Sequence, residues 1–216
     1  MKRIIALILL FFMVLLGGCQ MGKEIKPSEM HPNDLPDERA FQDEFTREFL
    51  QSAEETRPGY YPFLSKTEKY KMDFQGEGVI LKKPYTIDNN AFEGIVVGVL
   101  RNGKVMDNYT FFYYGDHKYS QIENNLEMFQ KRVGKSVDFE LIEDNAKSIY
   151  YSNFQRNDFH NHIAYIINKL DSGAIELIYS IDCLDNKSCM PETIQEEIVE
   201  WIKTIQFINE NESVND

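Results

Sequence analysis

The stretch Tyr109-Thr-Phe-Phe-Tyr-Tyr114 sets the strongest constraint on this chain. As a strand it shows Tyr109, Phe111 and Tyr113 on one face and Thr110, Phe112 and Tyr114 on the other. The segment 163–167 is apolar on both sides in the same way. A sheet with helices on one face only would leave one of these rows in water, so both faces need cover. The chain must supply a sheet and at least two helical layers.

Three segments carry helical periodicity. Phe41, Phe45 and Phe49 recur every four residues with Leu50 and Ala53 beside them, which predicts an amphipathic helix over about 37–55, with Asp37 and Glu38 at its positive end. Ser120 to Glu123 has the capping-box pattern, followed by Ile122, Leu126, Phe129 and Val133 on one stripe and Gly134 at the C-terminal end. Pro191 opens a third helix bearing Ile194, Ile198, Trp201, Ile202 and Ile205.

Strand patterns occupy 68–75, 92–101, 108–115, 137–142, 147–154, 161–170 and 174–183. Asn102-Gly103 and Asp171-Ser172-Gly173 have turn chemistry and predict hairpins joining 92–101 to 108–115 and 161–170 to 174–183. The expected fold class is therefore α+β: a single domain with a mainly antiparallel sheet covered by helices on both faces, a three-layer α/β/α sandwich.

The N-terminus reads as an export signal: Lys2 and Arg3, an apolar run from Ile4 to Leu16, then Gly17, Gly18 and Cys19. The uncharged run Ile4–Gly18 would span about 22 Å as a helix, short of a hydrocarbon core of about 30 Å. Leu16-Gly17-Gly18-Cys19 resembles the lipobox of bacterial lipoprotein precursors. That resemblance implies cleavage before Cys19, a diacylglycerol on its sulfur and a lipid-anchored, palmitate-bearing protein on the extracytoplasmic face of the cell membrane. An ordinary signal peptide or an uncleaved anchor is the alternative. Residues 20–36 hold three prolines and no apolar periodicity, and read as a flexible tether with a reach of roughly 23 Å. The expected layout is signal 1–18, lipidated cysteine and tether 19–36, globular domain 37–208 and a polar acidic tail 209–216.

The formal charge is −12. Loss of Lys2 and Arg3 with the signal brings it to −14, from 21 basic and 35 acidic residues. Such a chain repels phosphate backbones, so nucleic acid is excluded as a partner, as is any membrane contact that depends on a basic patch. Two cysteines remain, Cys183 and Cys189, in a loop outside the reducing cytoplasm. Compartment, spacing and even count favour an intrachain disulfide, against the alternative of two free thiols.

The order of elements, with the aromatic GYYPF at 59–63 and a closing helix with Trp201 running into IKTIQFI, resembles the Mog1/PsbP-type α/β/α sandwich over 37–208. The resemblance implies an accessory, binding or envelope lipoprotein more readily than an enzyme. G-x-S-x-G, H-E-x-x-H, Walker and G-x-G-x-x-G motifs are absent from the sequence.

Few residues carry candidate chemistry. His160 and His162 share a strand face and are weak metal candidates without a third ligand nearby in sequence. Asp182, Asp185 and Asn186 bring oxygen ligands together without an EF-hand pattern. Tyr60, Tyr61 and Phe63, read as a loop, form a candidate exposed partner patch. No cofactor is called for. The leading function is a non-enzymatic binding or accessory module of the bacterial cell envelope, held to the membrane by its lipid and taking an envelope protein or a small ligand. The alternatives are an exported metal-dependent or hydrolytic enzyme using His160 and His162, and a purely structural envelope component.

Overall fold

The two-sided apolar strands are accommodated at the centre of an eight-stranded antiparallel sheet. The computed structural model describes residues 25–89, 91–101, 105–183 and 192–209. The chain forms short helices α1 (Arg39–Gln42) and α2 (Glu44–Arg47), strands β1 (Tyr60–Leu64), β2 (Tyr70–Gln75), β3 (Gly78–Ile80), β4 (Thr86–Asp88), β5 (Phe92–Arg101) and β6 (Val105–Tyr114), and helix α3 (Ile122–Val133). Strands β7 (Glu140–Glu143), β8 (Lys147–Arg156), β9 (Phe159–Asn168) and β10 (Ala174–Asp182), helix α4 (Glu192–Lys203) and β11 (Gln206–Phe207) complete it. The large sheet runs β3-β5-β6-β10-β9-β8-β7, with β4 also on β5, and a small sheet runs β1-β2-β11.

Each face of the large sheet has its own core. Tyr109, Phe111, Ile175 and Leu177 meet the small sheet, the N-terminal helices and α4 through Phe41, Phe49, Phe63, Phe74 and Trp201. On the opposite face Ile163, Tyr165, Ile167 and Ala174 meet Phe129 and Val133 of α3. The fold is the three-layer α/β/α sandwich the strand pattern demanded. Both hairpins form in the expected pairing, with β5 on β6 and β9 on β10. The second is closed by Gly173 at φ 126°, whose carbonyl accepts from Asn168 N at 2.9 Å.

Three expectations are corrected. The helix over 37–55 is broken at Asp43 and ends at Arg47. Asp43 takes an extended ψ of 116° and its Oδ1 accepts from both Thr46 N and Thr46 Oγ1 at 2.7 Å, capping a new helical turn. Phe49 then lies in a turn, its N–H donating to Thr46 O at 3.0 Å, and Leu50 bridges Phe63, with Leu64 N donating to Phe49 O and Gln51 N donating to Pro62 O. Tyr60–Phe63 is a strand, not an exposed loop: Tyr61 and Phe63 are buried, and only Tyr60 lies half out of the core. The expected tether meets the body at Pro27, well before residue 36. It forms two 3-10 turns, at Pro27–Glu29 and Pro32–Asp34, with Pro27 buried and Leu35 against the core.

The C-terminal end of α4 is held by Lys147, itself buried, whose ammonium donates to Lys203 O at 2.6 Å and to Ile205 O. A cation at a helix C-terminus complements the exposed carbonyls there. The largest buried side chain is Trp201, which meets Tyr109 at 5.0 Å, Phe111 at 5.8 Å and Tyr179 at 5.8 Å between ring centroids. Trp201→Ala should cost about 3–5 kcal/mol of stability. Urea denaturation checks this, and a midpoint unchanged from the parent chain would show that α4 does not close the core.

Candidate functional site

Helical spacing puts Ile194, Glu197, Ile198 and Trp201 on one face of α4, and strand spacing puts Tyr179 and Ile181 on one face of β10. Together with Val99, Leu100 and Asp107 of the β5–β6 hairpin, and Tyr60 and Gln75 at one end of the small sheet, they line a cavity of about 160 Å³. An apolar cavity of about 150 Å³ holds a benzene ring. The walls here are three aromatic rings and five aliphatic side chains, with Gln75, Asp107 and Glu197 as the polar groups.

The polar wall is specific. Gln75 Nε2 donates to Tyr60 OH at 3.4 Å, while Gln75 Oε1 is buried with no hydrogen-bond partner. Such an acceptor costs about 1–3 kcal/mol unless a water or a ligand donor meets it. Tyr60 is fixed from its other side by the Arg57 guanidinium, 3.7 Å from the ring centroid, and Arg57 Nε donates to Asp73 Oδ2 at 3.0 Å. Trp201 is pinned by Nε1 donating to Asp73 O at 2.8 Å. Among the described lining residues the formally charged side chains, Asp107 and Glu197, are both acids. The arrangement can take a ring-sized body that presents a hydrogen-bond donor.

Of the residues singled out in the sequence, Tyr60 reaches this cavity, whereas Tyr61 and Phe63 are core residues and form no patch with it. His160 and His162 do share a face, with ring centroids 5.0 Å apart. Tyr151 OH lies 2.7 Å from His162 Nδ1, and Asn153 Oδ1 lies 3.2 Å from His160 Nε2. His162 Nε2 is buried without a partner. Burial, and then the neighbouring His160, push the His162 imidazole down to about 3. Among the described residues no three His, Cys, Asp or Glu side chains are grouped to hold a metal ion. Cys183 is buried at the end of β10, its N–H donating to Asp158 O at 2.7 Å. Cys19, Cys189, Asp185 and Asn186 lie outside the described residues.

Sequence reasoning missed a second polar group, on the α3 face. Glu176, buried on β10, pairs with Arg132 of α3, which also donates to Tyr114 OH. His117 stacks on Tyr114 at 4.5 Å, and its Nδ1 lies 2.8 Å from Tyr165 OH. Burial outweighs the arginine and pushes the Glu176 carboxyl up to about 7. Only the break in the apolar row of AIELIYS hinted at it.

The class of protein that the fold and the comparisons define is a small α/β/α sandwich of a lipoprotein family. The chain belongs to the YvcA_Mog1p family, described as "Putative lipoprotein YvcA", whose model matches residues 36–206. A relative from Bacillus subtilis (strain 168), itself named "Putative lipoprotein YvcA", is 36% identical over 107 residues, covering 44% of this chain and 44% of the relative. The match thus spans less than half the length of that relative. A crystal structure from Bacteroides thetaiotaomicron VPI-5482 aligns with a TM-score of 0.42 at 14% identity, covering 69% of this chain and 49% of that one.

The two buried titratable groups oppose each other with pH. His162 binds its proton in the unfolded chain near its ordinary value of 6.5 but in the fold only near 3, so its contribution is lost as pH falls through that window. Glu176 is raised from 4.5 to about 7, so its contribution is present at low pH and lost as pH rises through that window. His162→Phe should remove up to about 1.4 kcal/mol per pH unit of acid sensitivity below pH 6.5. Urea midpoints measured from pH 3.5 to 6.5 check this, and an unchanged slope would show His162 to be charged in the fold.

Proposed function

We propose that this chain is a membrane-anchored extracytoplasmic lipoprotein, acting as a non-enzymatic binding or accessory module of the bacterial cell envelope. The observation that carries the reading is its membership of a lipoprotein family together with LGGC at the end of an export signal. Cys19 carries the diacylglycerol after removal of residues 1–18, and the two acyl chains supply the stable attachment that one chain would not. Cys183 and Cys189 form a disulfide in the same extracytoplasmic compartment. Cys19→Ala should abolish incorporation of radioactive fatty acid and shift the protein out of the membrane fraction. Label retained by the variant would sink the lipid assignment.

The body binds through the cavity beneath α4. Its aromatic and aliphatic walls, unpartnered Gln75 Oε1 and acidic side chains support a small neutral or cationic ring compound bearing an N–H or O–H group. Tyramine and phenol should shift the Trp201 indole N–H resonance, benzoate should not, and Ile194→Trp, which fills the space from its half-exposed edge, should remove the response. A benzoate response equal to that of tyramine would overturn the donor assignment.

A further inference from the structure

The anchoring reading, combined with the packed N-terminal segment, fixes which way the body faces. Ile25, Glu29, Met30, His31 and Asp34 line one shallow groove with Ser52, Ala53 and Glu54, and Pro27 in the same segment is buried. The body therefore holds its own chain from Pro27 onward. Between Cys19 and Pro27 stand only Gln20, Met21, Gly22, Lys23, Glu24, Ile25 and Lys26. Eight residue steps reach at most about 29 Å even when fully extended. A domain of this length has a radius of gyration of about 16 Å, hence a diameter of about 40 Å. A leash shorter than the body's diameter does not let the body turn over.

We propose that the surface formed by Ile25–Asp34 and Ser52–Glu54 is the membrane-proximal face of the protein, held facing the lipid surface by the short leash. The inference rests on lipidation of Cys19. Exposed on this face are Lys26 against Glu29, Asp34 and Glu54. Its net negative charge is repelled by anionic headgroups within a Debye length of about 8 Å, so the face stands off from the bilayer without inserting. Ile25, though 61% exposed, is a single apolar side chain among these charges. Helix α3 lies in the opposite layer, across the large sheet, with Met128 exposed on its outer side. Two interlayer spacings of about 10 Å separate the layers.

The test uses the full lipidated protein in vesicles of phosphatidylcholine and phosphatidylglycerol carrying an acceptor dye on the headgroup. A donor dye is placed through an unnatural amino acid at Glu54 or at Met128, and energy transfer gives the distance of closest approach. The expected result is a distance shorter at Glu54 than at Met128 by about 10 Å or more. A Gly/Ser spacer of about 20 residues inserted after Gly22 adds a reach of roughly 24 Å and should bring the two distances together. Equal distances in the parent chain, or Met128 nearer than Glu54, would overturn the orientation. The mass of the N-terminal peptide is read on the same sample. An unacylated Cys19 removes the anchoring reading itself, whereas acylated Cys19 with equal distances removes the orientation alone.

Discussion

The contact on which the architecture depends is the seating of one indole ring. Trp201 lies against Tyr109 and Phe111 of β6 and Tyr179 of β10, while its Nε1 donates to the backbone of Asp73 in the small sheet. One side chain from the closing helix thereby joins the large sheet to the small one. Thr204 adds to the same junction, its Oγ1 accepting from Asp73 N at 3.1 Å and donating to Trp201 O at 2.7 Å. Because a ring of that size buries extensive area and still satisfies its N–H, it fixes both position and angle. The cavity follows from this geometry, since α4 is held at its C-terminal half and leaves space over Val99, Asp107 and Ile181 nearer its N-terminal half.

The opposite face is covered by a single helix, and polar chemistry completes what α3 does not reach. Phe112 and Tyr114 are half-buried, with the Arg132 guanidinium 5.3 Å from the Tyr114 ring and 6.0 Å from that of Phe112. Phe92 stacks on Phe112 at 6.2 Å. Arg132 thus shields two aromatic rings with its flat face while its N–H groups meet Glu176 and Tyr114 OH. A lysine would supply the charge without the plane. On the first face Glu93 plays a comparable tying part, accepting from Lys66 N at 3.0 Å, Tyr85 OH at 3.1 Å and Thr67 Oγ1 at 3.2 Å. Buried acids of this kind are met by hydrogen-bond donors, and they set loops and helices against strands in one arrangement.

What the sequence made legible was governed by local periodicity. The two-sided rows of β6 and β9 required three layers, and turn chemistry fixed two hairpins, because both signals reside within about ten residues of each other. The failures have tertiary causes. Phe41, Phe45 and Phe49 keep helical spacing, yet Phe49 stacks on Phe63 at 5.5 Å from the turn after the helix, since pairing of Leu50 and its neighbours with β1 outweighs one more helical turn. Tyr60–Phe63 looked like a loop because Pro62 and Gly59 flank or interrupt it, but Pro62 uses its carbonyl in the ladder and needs no N–H there. The cavity was invisible because its walls come from six elements whose meeting is set by Trp201. His160 and His162 were placed on one face correctly, whereas their enclosure by Tyr151 and Asn153 depends on strand pairing.

The packed segment at 25–36 changes the consequences of the protein's charge. With a long free tether, a body of charge −14 would drift clear of an anionic surface and sample all orientations. With the segment docked through Pro27 and Leu35, lipidation of Cys19 as proposed would leave a leash shorter than the domain it holds, and repulsion would act on a body that cannot rotate away. Electrostatic force and chain length would then act along the same line, the one pulling the body outward and the other holding the Ile25 face toward the bilayer. On that reading orientation is written into twelve residues that carry no periodic pattern and meet the core through a proline ring and a leucine side chain.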